Sequence, residues 1–144
     1  MTFLIGRLPD AANLSCSMAQ DRWKRHISAE MPMKGRPVIV RCPWMWKGYC
    51  MNLFGTLWAR DTSWIDRYVI NHERIHTAQM RELLFIPFYV VYVLEWLVRL
   101  VQYRDPHKAY LNISFEREAY RHGHDMTYLT RRRHYAFLHY MQSV

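Results

Sequence analysis

The sequence predicts an α+β fold that is mostly helical, with a small β-hairpin or sheet followed by about four helices. Segments rich in β-branched and aromatic residues lie at 37–42 and 49–58, and each predicts one strand. Neither proline nor glycine occurs from 56 to 86, where apolar residues recur at helical spacing. A chain of 144 residues, 51% of them hydrophobic, is long enough for one core. We therefore expect a single domain over residues 1–144.

The segments before and after the predicted strands differ in predicted secondary structure. Residues 1–35 predict an irregular N-terminal segment that contains one short helix at 18–30. The first long helix is predicted over 64–84, because its apolar residues approximate one helix face. Short polar side chains can accept a hydrogen bond from the first turn of a helix, and the candidate N-caps are Asp61, Thr62 and Ser63.

A second helix is predicted within the apolar segment 83–101. Pro87 is well suited to a first helical turn, where its missing N–H costs nothing. The segment is about as long as a bilayer span, yet it contains Glu95 and Arg99, which are costly in lipid. These charges favour a buried core helix over insertion into lipid, with peripheral membrane contact as the alternative.

Three further helix boundaries are visible in the C-terminal third. Asp105 can cap a third helix that Pro106 starts, and Ser114 can cap a fourth. Gly123 is a natural end for that fourth helix. A last helix is predicted over 127–141. Its predicted inward-facing residues include Leu129, Tyr135, Leu138 and Met141.

The first long helix carries the most informative motif of the chain, His72-Glu73-Arg74-Ile75-His76. Histidines four residues apart lie on one helix face, so both imidazoles can reach one tetrahedral metal ion. A glutamate between them stands beside the open position of that metal, where it can take a proton from bound water. The spacing therefore predicts a hydrolytic zinc site. The alternative is a surface helix on which all three side chains are merely solvated.

A catalytic zinc site needs a third protein ligand. The sequence offers three downstream candidates, Glu95, Glu116 and Glu118. Glu95 interrupts an apolar helix, so it would bind the metal, support a ligand histidine or pair with Arg99 four residues later.

Glu116 and Ala119 fit a Glu-x-x-Ala pattern downstream of the histidine motif. In this combination the chain resembles the gluzincins, the zincin group whose third ligand is a glutamate on a later helix, and within them the relatives of the membrane CAAX-prenyl proteases. The resemblance implies a minimal zincin-like fold with the motif on its central helix. It also implies that Glu116 completes a zinc site with His72 and His76, and that Glu73 is the general base. With this resemblance, Glu116 ranks first as the third ligand, Glu95 second and Glu118 third.

A second resemblance covers roughly residues 50–143. The chain is similar to small uncharacterised bacterial proteins with an Asn-His-Glu-x-Ile-His segment, an aromatic helix and a Phe-Glu-x-Glu-Ala-Tyr segment. No activity follows from this resemblance. In zincins a strand just before the motif helix commonly pairs with an extended substrate. By resemblance, segment 50–58 would pair with substrate in the same way. The simpler interpretation is a strand that only covers the core.

Four side chains near Glu116 are candidates to stabilise the oxyanion that forms when water attacks a carbonyl. They are Tyr110, Tyr120, His122 and His124, and the sequence does not choose among them. Tyr120 stands where the prenyl-protease relatives have an aspartate, so the support that such an aspartate supplies to a ligand is missing at this position.

We therefore expect a zinc-dependent hydrolase, most simply a metallopeptidase that binds one zinc per chain and acts on a peptide or protein substrate. One alternative keeps the zinc without catalysis. Another is a nucleic-acid or anionic-surface binder, suggested by the net charge of +8 and the basic, aromatic segment 131–135. The sequence gives no indication of an oligomeric state.

The cysteines and the N-terminus bear on location. Cys16, Cys42 and Cys50 are an odd count without Cys-x-x-Cys spacing, which argues against a cysteine zinc knuckle and for a reduced compartment. No basic segment followed by a sustained apolar stretch begins the chain, so no secretory signal is predicted. We expect a cytoplasmic protein with partly buried structural thiols, either free or associated with a membrane.

Overall fold

The computed structural model describes residues 5–6 and 38–141. The fold is α+β and mostly helical, as predicted, with a small sheet followed by the helices. The strands are β1 (Ile5–Gly6), β2 (Ile39–Arg41), β3 (Tyr49–Leu53) and β4 (Thr56–Ala59). The helices are α1 (Arg67–Glu82), α2 (Ile86–Tyr103), α3 (Pro106–Leu111), α4 (Ser114–His122) and α5 (Tyr128–Arg131), followed by a 3-10 helix at Ala136–Tyr140. The helix predicted at 18–30 lies outside the described residues.

The four strands form one sheet in the order β1-β3-β4-β2. β3 pairs antiparallel with β1 and β4, whereas β2 pairs with β4 in parallel. The single strand predicted at 49–58 is wrong, because the chain turns back at Phe54 and Gly55, whose φ angles are 52° and 83°. Two consecutive positive φ angles are typical of the two-residue hairpin turn that matches strand twist. The side chain of Asn52 stabilises this turn by accepting a hydrogen bond from Gly55 N–H at 3.0 Å.

Helix α1 begins three residues later than predicted. Asp66 is its N-cap, and the carboxylate accepts a hydrogen bond from Val69 N–H at 2.9 Å. The predicted caps at 61–63 are wrong, because Asp61 instead accepts hydrogen bonds from the backbone and the hydroxyl of Ser63. In both cases an aspartate side chain accepts hydrogen bonds from residues that follow it closely, so the sequence alone does not show which aspartate caps the helix.

Helix α2 begins next to Pro87, as predicted, after a turn in which Leu84 and Phe85 adopt positive φ angles. It is a core helix on one face only. Its buried residues are Phe88, Tyr92, Glu95 and Arg99. Its opposite face is apolar and exposed, and the helix is long and apolar enough to cross a membrane by length and composition alone.

Helices α3 and α4 follow the predicted boundaries, with one correction. The carboxylate of Asp105 caps α3 by accepting hydrogen bonds from the N–H groups of His107 and Lys108. Ser114 is not the N-cap of α4, because Ile113 occupies that position and Ser114 is the first helical residue. Helix α4 ends at His122, directly before Gly123.

The single helix predicted over 127–141 is wrong. Helix α5 ends at Arg131, since Arg132 turns to an extended backbone with ψ 129°, and the chain resumes as the 3-10 helix. Ala136 and Phe137 point inward there. The residues predicted to be inward are largely exposed, namely Tyr135, Leu138 and Met141, whereas Leu129 is partly buried.

The main core lies where α1, α2 and α4 meet the 3-10 helix. It consists of the buried residues Met80, Phe88, Tyr92, Ile113, Phe115 and Phe137. Phe115 connects the elements, because its ring lies 4.8 Å from that of Phe88 and 4.4 Å from that of Phe137. Of the three cysteines predicted to be partly buried thiols, Cys42 and Cys50 are free and buried, and Cys16 lies outside the described residues. The packing of α4 against α1 sets the position of the candidate site.

Candidate metal centre

Three potential ligands from two helices converge in the interior. His72 and His76 project from one face of α1, and their Nε2 atoms are 3.0 Å apart. Both oxygens of Glu116, on α4, point at this pair, at 3.4 Å from His72 Nε2 and 3.4 Å from His76 Nε2. All three side chains are almost fully buried, with exposed fractions of 0%, 4% and 1%. They form a group that can hold a metal ion.

Asn71, the residue before the motif, fixes α4 relative to α1. Its Nδ2 donates hydrogen bonds to the backbone carbonyls of His122, Gly123 and Asp125, at the end of α4 and just beyond it. Gly123 permits this approach, because a Cβ at that position would lie 2.5 Å from the ring of Tyr68 on α1. The close contact of the two helices therefore depends on one buried amide and one missing side chain.

Two tyrosines orient the carboxylate of Glu116. Tyr92 on α2 donates to one oxygen at 2.7 Å, and Tyr110 on α3 donates to the other at 3.0 Å. Tyr110 is also one of the four candidates for oxyanion stabilisation, but its hydroxyl is engaged by Glu116. Tyr92 was missed from the sequence, since a tyrosine in an apolar helical pattern predicts only packing.

A chain of hydrogen bonds runs from His76 to a buried ion pair. His76 Nδ1 lies 2.7 Å from Gln79 Oε1, and Gln79 Nε2 donates to Glu118 at 3.1 Å. Glu118 also accepts hydrogen bonds from Tyr128 and from the guanidinium of Arg132. Support of this kind orients ligand histidines and increases their basicity. Glu118, a predicted alternative ligand, therefore lies behind a ligand histidine rather than in the metal group.

Glu73 occupies a buried position next to the three ligands, with an exposed fraction of 2%. Its Oε1 lies 3.8 Å from the thiol of Cys50, and its Oε2 has no hydrogen-bond partner among the described residues. Asn52 on β3 donates to the backbone carbonyl of Glu73 at 2.8 Å, which ties the motif helix to the hairpin. Burial raises the pKa of Glu73 to about 7. The side chain therefore combines a free carboxylate oxygen with a pKa near neutrality.

The protonation states of His72, His76 and Glu116 depend on one another. Burial acts to lower the pKa of His76, but the negative charge of Glu116 and hydrogen bonds outweigh it and raise that pKa to about 9. Burial likewise acts to raise the pKa of Glu116, but the charge of His76 and hydrogen bonds to both histidines hold it well below its usual range. Burial lowers the pKa of His72. Without a metal ion, one positive charge on the histidines thus balances Glu116.

Glu95, the second-ranked ligand candidate, lies outside the metal group. Its carboxylate accepts the backbone N–H of Ser114 at 2.9 Å and the hydroxyl of Ser114 at 2.6 Å, and it pairs with Arg99 at 3.5 Å. The predicted pair with Arg99 is confirmed. Because Ser114 begins the helix that carries Glu116, Glu95 supplies the N-terminal cap that α4 lacks from its own sequence.

The remaining candidates for oxyanion stabilisation differ in their distance from the histidines. The ring of Tyr120 packs edge-on against His72 at 4.7 Å, and its hydroxyl lies 3.3 Å from that of Tyr110. His122 stacks on Tyr128, and the ring of His124 packs against that of Tyr68 at a tilt of 35°. Of the four candidates, Tyr120 alone contacts a ligand histidine directly. It also lines a surface depression with Leu111, Arg117, Arg121 and Tyr140.

The basic segment 131–135 is not one solvated face. The side chain of Arg132 is only 4% exposed, because its guanidinium pairs with Glu82 and Glu118. Arg131 pairs with Asp125 at the surface. Two of the three arginines are thus engaged within the protein, which weakens the interpretation of this segment as a phosphate-binding surface.

The donor set itself tests whether a metal fits. Two imidazole nitrogens and one carboxylate suit a tetrahedral metal site whose fourth position is left for another ligand. The Nε2 atoms of the two histidines face each other. Gln79 is placed to hold the proton of His76 on Nδ1, away from the metal-facing nitrogen. The residues therefore fit a divalent metal ion that prefers nitrogen and oxygen ligands.

Comparisons of the chain with protein-family models, curated proteins and solved structures found no match.

Proposed function

We propose that this protein is a zinc-dependent hydrolase, most simply a metallopeptidase, in which His72, His76 and Glu116 hold one zinc and Glu73 is the general base. The supporting observation is the convergence of three ligating side chains from two helices. Glu73, adjacent to His72 in the sequence, is buried, and its Oε2 has no hydrogen-bond partner among the described residues. Two histidines and a carboxylate also suit iron, but a glutamate directly after the first histidine is the arrangement that hydrolytic zinc sites use.

When bound, zinc would lower the pKa of a water molecule and polarise the carbonyl under attack. The chain supplies the proton transfers. Glu73 is a buried carboxylate whose Oε2 has no hydrogen-bond partner among the described residues, so we assign it the proton of the attacking water and the delivery of that proton to a leaving amine. Tyr92 and Tyr110 hold the Glu116 carboxylate, and Gln79 keeps the proton of His76 away from its metal-facing nitrogen.

Tyr120 is the side chain best placed to assist a developing oxyanion. Its ring contacts His72, and its side chain also lines the surface depression. A tyrosine hydroxyl in such a position can donate to an oxyanion, which strengthens an interaction needed only in the transition state. We therefore propose Tyr120, rather than Tyr110, His122 or His124, for this role.

A second function is favoured by one observation, the burial of the site. Catalytic zinc sites keep one position open to water and substrate, whereas structural sites are closed. The ligands here are between 0% and 4% exposed. A zinc held in this pocket for stability alone would require no path for substrate, and Glu73 would then be a buried acid without a catalytic role.

The two functions separate in one experiment. Zinc is measured by elemental analysis on protein purified without a polyhistidine tag, and hydrolysis is measured on a mixture of unstructured peptides. We expect about one zinc per chain in the wild type and in Glu73→Gln, none in His76→Ala, and hydrolysis in the wild type alone. His139→Ala, at an exposed position, is the matched control for the histidine change.

Each other outcome has a defined meaning. Zinc present in wild type and Glu73→Gln, with hydrolysis in neither, supports the structural site. Hydrolysis that persists in Glu73→Gln would remove the proposed general base. A wild type that neither contains nor takes up zinc would overturn both functions.

A further inference from the structure

Helix α2 has the reverse of the polarity expected for a surface helix in water. Its two charged residues, Glu95 and Arg99, point into the protein together with Phe88 and Tyr92. The residues on the outer side are apolar, with exposed fractions between 46% and 78%: Ile86, Val90, Leu94, Leu97, Val98 and Val101. In soluble proteins the outer side of such a helix carries polar residues. A continuous exposed apolar face of this kind marks an interaction surface.

The apolar surface extends beyond the helix at its N-terminal end. Leu84, in the turn before α2, is 78% exposed. Phe54, at the tip of the β3–β4 hairpin, is 55% exposed and packs against Phe85 and Tyr89 with ring distances of 5.8 Å and 5.7 Å. The hairpin tip, the turn and the outer face of α2 thus form one surface, which we call the apolar face. Its helical part is about 27 Å long at 1.5 Å per residue.

Positive charge borders the apolar face at both ends. Arg81 lies three residues before Leu84, and Arg104 and Lys108 follow the end of α2; all three are exposed, and none forms a salt bridge with another described residue. Two of the three acidic side chains of this region are paired inside the protein, and the third, Asp105, is outnumbered at the surface by Arg104 and Lys108. Glu82 pairs with Arg132, Glu95 with Arg99 and Ser114, and Asp105 caps α3. The edges of the apolar face are therefore cationic.

An apolar helix face flanked by cations has the chemistry of helices that lie in the interface of an anionic bilayer. We propose that the apolar face docks on an anionic lipid surface, with α2 parallel to the membrane plane. The inner side of α2 is packed against protein along its whole length, from Phe88 to Arg99, so lipid reaches one side only. That packing favours a helix lying on the bilayer over one that crosses it.

A second copy of this chain fits the same face less well. Two apolar faces packed in antiparallel orientation would bring Arg81 of each copy toward Arg104 of the other, and parallel packing would bring each cation to its own counterpart. Anionic headgroups instead neutralise both ends at once. Docking of the apolar face on lipid would be a separate function from that of the metal group, and it would not require hydrolysis.

Vesicle co-sedimentation of the full chain tests the proposal. The vesicles are phosphatidylcholine with or without phosphatidylserine, and the variants are Val90→Asp and Leu94→Asp, singly and together. We expect sedimentation with the phosphatidylserine vesicles, weakened by salt, and about a ten-fold loss of partitioning for each substitution. Leu138→Asp, at a half-exposed apolar position on the 3-10 helix, should bind as the wild type does.

Both substituted side chains are more than half exposed, so each variant should keep the wild-type circular dichroism spectrum and zinc content. Equal binding by wild type and folded Val90→Asp/Leu94→Asp would overturn the proposal. So would absence of binding by the wild type. A wild-type dimer that Val90→Asp makes monomeric, without vesicle binding, would identify a second copy as the occupant. Protein that resists extraction from the vesicles by alkaline carbonate would contradict the in-plane orientation.

Discussion

Gln79 Oε1 lies 2.7 Å from His76 Nδ1, and this contact fixes the tautomer of the histidine. A carboxamide oxygen only accepts hydrogen bonds, so Nδ1 carries a proton in either charge state. When the imidazole is neutral, as metal binding requires, Nε2 is therefore the nitrogen with the free lone pair, and it faces His72 and Glu116. The other end of the same amide donates to Glu118 and to the backbone carbonyl of Phe115. The orientation of Gln79 is thus determined by groups outside the metal group.

Substitution of Gln79 by leucine should therefore weaken zinc binding without removing a ligand. Loss of a supporting hydrogen bond of this kind lowers metal affinity about 10-fold to 100-fold. Competition with a chromophoric chelator measures the change, and Gln102→Leu, at an exposed position, is the control. Unchanged zinc affinity in a folded Gln79→Leu protein would show that Gln79 does not orient His76.

The predictions that succeeded rest on signals contained within one element. The motif helix, the start of α2 at Pro87 and the start of α3 at Asp105 are each encoded by a few neighbouring residues. The predicted helix over 127–141 failed because Arg132 leaves the helical path to pair with Glu82, which lies 50 residues earlier. Periodicity carries no information on such a partner.

The same distinction applies to the site. The spacing of His72 and His76 on one helix predicts their convergence, whereas the third carboxylate depends on how α4 packs against α1. Three glutamates were candidates, and the structure brings Glu116 to the histidines while Glu95 and Glu118 support the helix and His76. The roles of Tyr92 and Gln79 could not be predicted, because they depend on contacts between helices.

Glu95→Gln should destabilise the protein while leaving the metal group intact. The change removes the negative charge that Arg99 faces in the interior, and breaking a buried pair costs about 3 kcal/mol of the free energy of unfolding. Urea unfolding measures this loss, and elemental analysis of the folded fraction should still find zinc. A folded Glu95→Gln protein without zinc would return Glu95 to the list of ligands.

The metal-free protein should become less stable as pH rises from about 6.5 to about 9. The pKa of His76 is raised from 6.5 to about 9, so the stabilising charge is fully present below 6.5 and is lost as pH rises through 9. Glu73 acts in the same direction up to its pKa of about 7. Zinc requires the deprotonated histidine, so its binding strengthens over the same range.

The gap in melting temperature between zinc-loaded and chelator-treated protein should therefore widen with pH. Scanning calorimetry of both forms across this range measures the gap, and His76→Ala protein, which should bind no zinc, should show no gap at any pH. A gap that narrows with rising pH would contradict the proposed ligation by His76.

Gly123→Ala should cost stability through a steric contact rather than through backbone strain. Gly123 has φ −57°, which any residue adopts, but a Cβ would lie 2.5 Å from a ring carbon of Tyr68 and 3.1 Å from the carbonyl oxygen of Ala119. Overpacking of this kind typically costs about 1–3 kcal/mol. Because Asn71 ties the same segment to α1, the shift should also reach the metal group and lower zinc affinity.

A double-mutant cycle with Tyr68→Ala separates the clash from other effects. Removal of the ring leaves space for the new methyl group, so the double variant should lose less stability than the sum of the two single changes. Urea unfolding of the four proteins gives the coupling free energy, and chelator competition follows zinc in parallel. Strict additivity would show that the new methyl group is accommodated without pressing on Tyr68, and would separate the α1–α4 contact at Gly123 from the geometry of the metal group.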